Sequence, residues 1–341
     1  MKSRLSLILL AIASFWGCSE EIEIAGPYEE TIAVYGLLNA DRAVPNQYIR
    51  ISKAFLGEGN VYLMAQQQDS ITLSSQLQVT MEKLLGGQVV ESFPLTRIDT
   101  IPKDSGIFAY PGQVIYSMDR PLDDSTGALY RIRAKNGPTG TEVTSTTAVI
   151  PRMVVTSPVS TASADFATRL QITYKFRKPF FATIFDMEIV FRYREINSSG
   201  TTFYREITIP FTERGLEPDT LAEIGFKYYR PDFFSTVGPV ITRLTGNEQI
   251  VYRRCDSLPG GRRPIEYRFF CGTEDLNTYY QLTRPSNGIV QERPLFTTVQ
   301  NGVGLFTSRL THSEFRDFDV RTKAAFDTSA FTRNLNFEFG P

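Results

Sequence analysis

Histidine is nearly missing from this chain, with His312 as its single imidazole. A zinc site of the Cys/His kind is thereby excluded, since no cluster of such ligands exists. A Ser-His-Asp hydrolase would rest on that one ring, and no Gly-x-Ser-x-Gly elbow is present to offer a serine. Charge of one sign is missing too, because 36 basic residues stand against 37 acidic ones. No basic field results, which excludes nucleic acid as a partner. Alanine is sparse, which argues against a helical bundle. Tryptophan occurs once, as Trp16, and cysteine three times, at Cys18, Cys255 and Cys271. After residue 18 no apolar run approaches the ~20 residues a helix needs to cross ~30 Å of hydrocarbon.

The first residues have a pattern of their own. Lys2 and Arg4 precede the apolar run Leu5–Ala13, and Gly17 leads directly into Cys18. A basic start, a short apolar stretch and a small residue before the cut are the marks of a secretory signal. A thiol at the cut can accept palmitate-type acyl chains, each buried CH₂ adding ~0.8 kcal/mol of membrane affinity. Residues 1–17 are therefore expected to be a lipoprotein signal peptide and residues 18–30 a tether lipidated at Cys18. Phe15-Trp16 is bulkier than the usual approach to such a cysteine, and the rival reading is an ordinary cleaved signal.

What remains is rich in Tyr, Phe, Thr and Val, the residues of pleated, half-buried surfaces. Leu77-Gln78-Val79-Thr80-Met81-Glu82 alternates strictly, and turn residues such as Gly86-Gly87, Pro111-Gly112 and Asn136-Gly137-Pro138 punctuate further segments. Strands are expected at 31–38, 47–54, 76–85, 88–95, 113–118, 129–135 and 141–150, a spacing that fits an immunoglobulin-like sandwich. The Cys-Trp-Cys core of antibody domains is absent. Pro151 and Pro158 place a linker at 151–160 between a sandwich at 31–150 and a β-rich domain at 161–341. In the second half, Phe185, Met187, Ile189, Phe191 and Tyr193 share one strand face, opposite Ile184, Asp186, Glu188, Val190, Arg192 and Arg194, a sheet with one oily and one wet side. Asn197-Ser198-Ser199-Gly200 turns that strand into 202–210, and Thr273-Glu274-Asp275 starts a helix over 274–282. Short helices are also expected within 219–237 and at 321–326. The fold class is thus mainly β, an N-terminal sandwich followed by a β-rich domain with one to three short helices.

Candidate sites are few. Cys255 and Cys271 flank a turn-rich interval and read either as a disulfide or as two buried thiols. Phe226-Lys227-Tyr228-Tyr229-Arg230-Pro231-Asp232-Phe233-Phe234 mixes rings with charge. It reads as a recognition loop or sugar platform built on Phe226, Tyr228, Tyr229, Arg230, Phe233 and Phe234, or as a segment whose rings pack inward. Glu188, Glu195 and Glu206 could supply a glycosidase pair only if space brings two of them together. Asp317 and Asp319 lack the spacing of a calcium loop. Asp followed by Ser or Thr and then an apolar residue or Thr occurs at Ser70, Thr100, Ser125, Thr220 and Ser257. Such triplets mark either O-glycan acceptors or strand and turn starts. Gly302 and Gly304 are expected to allow a positive φ or a close backbone approach rather than to bind phosphate. No cofactor or metal is implied.

Val34-Tyr35-Gly36-Leu37-Leu38-Asn39, Gln47–Ser52, Glu266-Tyr267-Arg268-Phe269 and the segment from Thr297 to Phe306 carry a resemblance. The chain resembles a family of Bacteroidota envelope lipoproteins of unknown function, often encoded beside TonB-dependent outer-membrane receptors. Ser19-Glu20-Glu21 likewise resembles the surface-export signals of such lipoproteins, although two glutamates also suit a solvated tether. The resemblance implies an envelope lipoprotein with an N-terminal sandwich and a C-terminal β-rich domain. With the anchor and the lack of catalytic groups, the expected role is a non-enzymatic binding or accessory subunit, lipid-anchored at the outer membrane beside such a receptor. The alternative is a surface lipoprotein that binds or processes glycans.

Overall fold

The computed structural model describes residues 30–41, 44–54, 61–123, 127–168, 171–211, 223–229, 231–283 and 295–339. Cys18 and the expected signal and tether lie outside the described residues, apart from Glu30. Period-two alternation becomes strand as expected. In β3 (Leu77–Leu85), Leu77, Val79 and Met81 are buried while Gln78 faces water. The other strands of the first half are β1 (Thr31–Asn39), β2 (Gln47–Ala54), β4 (Gln88–Pro94), β5 (Thr96–Pro102), β6 (Gly112–Met118), β7 (Leu129–Asn136) and β8 (Glu142–Ala148). The second half adds β9 (Val154–Ser157), β10 (Gln171–Arg177), β11 (Ile184–Asn197), β12 (Thr202–Pro210) and β13 (Glu223–Tyr229). It closes with β14 (Ile250–Arg254), β15 (Ile265–Gly272), β16 (Val303–Arg316) and β17 (Phe337–Glu338). The protein is mainly β, with short helices between strands.

One large sheet runs β17-β14-β11-β15-β16-β1-β2-β6-β5, with β12 also on β11. A four-stranded sheet, β4-β3-β7-β8, faces its N-terminal part, and a three-stranded sheet, β13-β10-β9, faces its C-terminal part. Rings hold the latter pair together: Tyr174 lies 4.7 Å from Tyr267, and Phe176 lies 5.6 Å from Phe269. The N-terminal sandwich is present, but the division expected at 151–160 is bridged. β16 from the far half pairs in parallel with β1, from Ala33↔Val303 to Asn39↔Arg309. Its inward side completes the N-terminal layer, where Ser308 donates to the Ala148 carbonyl at the end of β8. The reason is closure of the core: without β16, Ile32 and Val34 of β1 would border water instead of being fully buried.

Both glycines of the 302–304 segment sit where that pairing leaves no room. A β-carbon on Gly302 would come 2.5 Å from the Ile32 oxygen, and Gly304 has a φ of +121°.

The disulfide expected between Cys255 and Cys271 does not form; both are free, buried thiols. The sheet explains why. β14 and β15 share one edge of β11 in succession, so Arg254 pairs with Arg194 and Cys271 with Phe185. Those rungs are roughly 30 Å apart at ~3.3 Å per residue, whereas a bridge needs α-carbons within ~7 Å. Burial pushes both thiols above their ordinary range. Neither thiol is expected to react with a maleimide in the native protein. Both should react in denaturant without reductant, and a thiol-free denatured chain would contradict this geometry.

Candidate functional site

The ring-rich segment does not form a platform. Phe226 and Tyr228 point inward from β13, and Phe233 and Phe234 lie on the buried side of the helix Pro231–Thr245. Phe233 stacks on Phe166 at 4.1 Å, and Phe226 meets Phe211 edge-on at 5.8 Å. Tyr229 alone of these is exposed, and Arg230 lies outside the described residues. The apolar drive to bury large rings decides the matter.

The other face of the large sheet has two different halves. Across β16, β1 and β2, Leu305 pairs with Tyr35 and Tyr35 with Arg50. One rung further, Thr307 pairs with Leu37, and Tyr48 follows beside it on β2. Tyr35 and Tyr48 are half exposed and Leu37 more than a third, although Ile49 and Ile51, on the opposite face of β2, are core residues. Sequence reasoning does not single out this group of four (Tyr35, Leu37, Tyr48 and Arg50) as a site. The available signal is the alternation of Tyr48 and Arg50 with Ile49 and Ile51.

Toward β15 and β11 the same face carries a ladder of charge. Arg192 Nε donates to Glu206 at 2.7 Å, and Arg192 also donates to Glu266. Arg268 Nε donates to the other Glu266 oxygen at 3.0 Å, and Arg268 reaches on to Glu188. Ser313 donates its hydroxyl proton to Glu266 from β16. Burial opposes ionisation of Glu266, but hydrogen bonds from Arg268, Ser313 and Arg192 outweigh it and lower its carboxyl to about 2. A general acid needs the opposite, a carboxyl held protonated near neutral pH.

The other candidate carboxylates are engaged in structural contacts. Glu195 is fully buried and accepts from Arg253 and Arg205, each at 2.9 Å, and from the Thr245 hydroxyl at 2.6 Å. It therefore fastens the end of the helix Pro231–Thr245 to the sheet. Glu188, Glu195 and Glu206 do not converge on a shared opening; each serves a different arginine. His312 lies 3.1 Å from Glu314, whose carboxyl is lowered chiefly by that contact, against burial, and by Arg316. Asp319 accepts from the Thr322 amide at 2.8 Å and so caps the helix Val320–Thr328. A hollow of about 260 Å³ is lined by Asp256, Asp317 and Glu338. Each of the three is ion-paired, with Arg194, Arg263 and Arg254 respectively. Among the described residues, no group of three or more His, Cys, Asp or Glu is placed to hold a metal. Nor is any described helix long and apolar enough to cross a membrane. Of the glycan triplets, Thr100 on the edge strand β5 and Ser257 in a turn are exposed, and Ser70 is half-buried. Ser125 and Thr220 lie outside the described residues.

No family model matches the chain, and no curated protein sequence matches it. One similar solved structure is the C-terminal globular domain of an oligosaccharyltransferase from Pyrococcus abyssi. It is 11% identical, with a TM-score of 0.25, and the match covers 72% of this chain and 49% of that one. The chain spans about half the length of that structure. A likeness this distant carries no argument about activity.

Proposed function

We propose that this protein is a lipid-anchored subunit of the outer membrane that binds or assists a partner and performs no chemistry of its own. The anchor is Cys18, placed by the basic start, the apolar run and Gly17. The partner is a protein of the outer membrane, a TonB-dependent receptor being the class implied by the resemblance. The observation that carries the binding half of this reading is the exposed cluster of Tyr35, Leu37 and Tyr48 around Arg50. Tyrosine and arginine dominate binding hot spots because a flat ring or guanidinium buries much area at little entropic cost. The compensated carboxylates support a non-enzymatic role, since Glu266 and Glu314 are both held ionised.

Two variants test the two halves separately. Cys18→Ser should abolish processing and release the protein from the membrane fraction. Tyr35→Ala/Tyr48→Ala should stay in the membrane yet lose a barrel protein that co-purifies with the wild type after crosslinking. A hot-spot ring is worth ~2 kcal/mol, roughly thirtyfold in affinity. If the double variant instead lost retention on a polysaccharide column, the ligand would be glycan. If Cys18→Ser were cleaved and membrane-bound just as the wild type is, the anchor reading would be wrong.

A further inference from the structure

A second apolar surface adjoins the sheet face, Arg50 sharing a small hollow with Lys103 and Ala109. Tyr62 and Leu63 of the short helix Val61–Ala65 and Ile107, Phe108 and Tyr110 of the β5–β6 loop are 44–67% exposed. The two segments are joined, because the Ala109 amide donates to the Ala65 carbonyl at 2.8 Å. Lys103 steadies the loop from beneath, donating to the Ala109 carbonyl at 3.2 Å and lying 5.2 Å from the centre of the Phe108 ring. Asp104 is the acidic neighbour, so the patch has little net charge.

Register shows where this patch sits. Thr31 at the start of β1 pairs with Ala54 at the end of β2. Ile49 pairs with Tyr116, so the β5–β6 loop, which precedes Gly112, projects past that same end of the sheet. Between β1 and β6 lies only β2, a separation of ~10 Å at ~4.8 Å per strand. Glu30, where the described body begins, is fixed at this end by Asn136, which donates to it at 2.7 Å. From Glu30 back to Cys18 the chain reaches at most ~40 Å, at ~3.3–3.6 Å per residue. The exposed rings and the tether therefore leave the body at one pole.

From this juxtaposition we infer that the pole bearing Tyr62, Leu63, Ile107, Phe108 and Tyr110 rests in the interface of the bilayer that holds the anchor. Tyrosine and other amphipathic or apolar side chains suit the headgroup boundary, where they sink ~5–10 Å. The tether keeps the patch at high local concentration beside the lipid, so a patch too small to bind alone is held in place. The body then lies fixed against the membrane, with the exposed cluster around Arg50 beside the resting pole. This inference rests on the reading of Cys18 as acylated.

The test exploits the near-absence of tryptophan. Trp16 is the only one in the chain and, on the proposed processing, leaves with the signal peptide, so Phe108→Trp in the full-length, processed protein carries a lone tryptophan that can be excited apart from the tyrosines. The variant is reconstituted into phosphatidylcholine vesicles with and without dibrominated acyl chains and recovered by flotation. Expected results are a blue-shifted emission and loss of most of it to bromine, with Tyr110→Trp behaving likewise. Tyr204→Trp, an exposed position on β12, should float yet keep its emission. Adding Leu63→Asp and Ile107→Asp to Phe108→Trp should restore its emission while flotation continues. If the Phe108→Trp and Tyr110→Trp variants both float with their emission unquenched, the resting pole is overturned and the anchor stands. Protein that does not float overturns both.

Discussion

Gly304→Ala is expected to be the most damaging single-methyl change in the described chain. A β-carbon there would lie 2.0 Å from the Val34 oxygen and 2.9 Å from its carbonyl carbon, inside contact distance of backbone that cannot swing away. Val34 is the residue paired with Gly304 on β1, so the methyl falls on the rung itself. The φ of +121° adds a second penalty, because it is a conformation that side chains oppose. Together these should cost more than ~4 kcal/mol, the range reserved for broken backbone or core geometry. Gly246→Ala is the matched control: its φ is +59°, but nothing lies within 4 Å. It should cost only ~1–2 kcal/mol, the penalty of a left-handed alanine. Urea midpoints of the two variants give the comparison, and equal losses would mean that β1 and β16 do not meet as closely as described.

Glu266→Gln should follow closely in effect. The carboxylate sits between Arg192 and Arg268, is nearly inaccessible, and is lowered from an ordinary 4.5 to about 2. A shift of that size corresponds to roughly 3 kcal/mol at ~1.4 kcal/mol per pH unit, and removing one member of a buried ion cluster strands the others. Because the folded value lies below the unfolded one, the contribution is complete above about pH 4.5 and drains away as pH falls toward about 2. The variant should therefore be less stable by a nearly constant amount from pH 5 to 8, and the gap to wild type should close on acidification. Denaturation curves at several pH values measure it; a gap that widened in acid would reverse the assignment.

Much of this architecture was legible because strands announce themselves locally. The alternation of Phe185, Met187, Ile189, Phe191 and Tyr193 with Asp186, Glu188 and Arg192 gave the strand and its apolar face, but the side expected to be wet is largely covered, Ile184, Val190 and Arg192 being buried. Gly302 and Gly304 were legible for a similar reason, since a glycine pair beside apolar residues signals close backbone approach. Partnership was not legible. Nothing in Ala33 or Val303 says that they are neighbours, because a parallel rung has no turn between its strands to betray it. The disulfide expectation failed on the same point, since it presumed that strands near in sequence share an edge with the sulfurs level. The rings at 226–234 misled differently: composition alone is the same for a platform and for a core, and only the facing large sheet, which brings Phe185, Phe191 and Phe269 against this layer, decides between them. The ladder around Glu266 needed β11, β12, β15 and β16 to be assembled before its charges became mutual partners.

The parallel rungs joining Ala33–Asn39 to Val303–Arg309 also set an order of events. A chain that emerges amino end first presents β1 long before its partner strand exists. The sandwich cannot seal until almost all of the polypeptide has arrived. In the export proposed above, in which the chain crosses a membrane unfolded, that delay is an advantage, because the early segments cannot lock into a body too wide to pass. The same dependence makes β16 a checkpoint, as a chain cut short before Val303 leaves the edge of β1 bare and open to pairing with other chains.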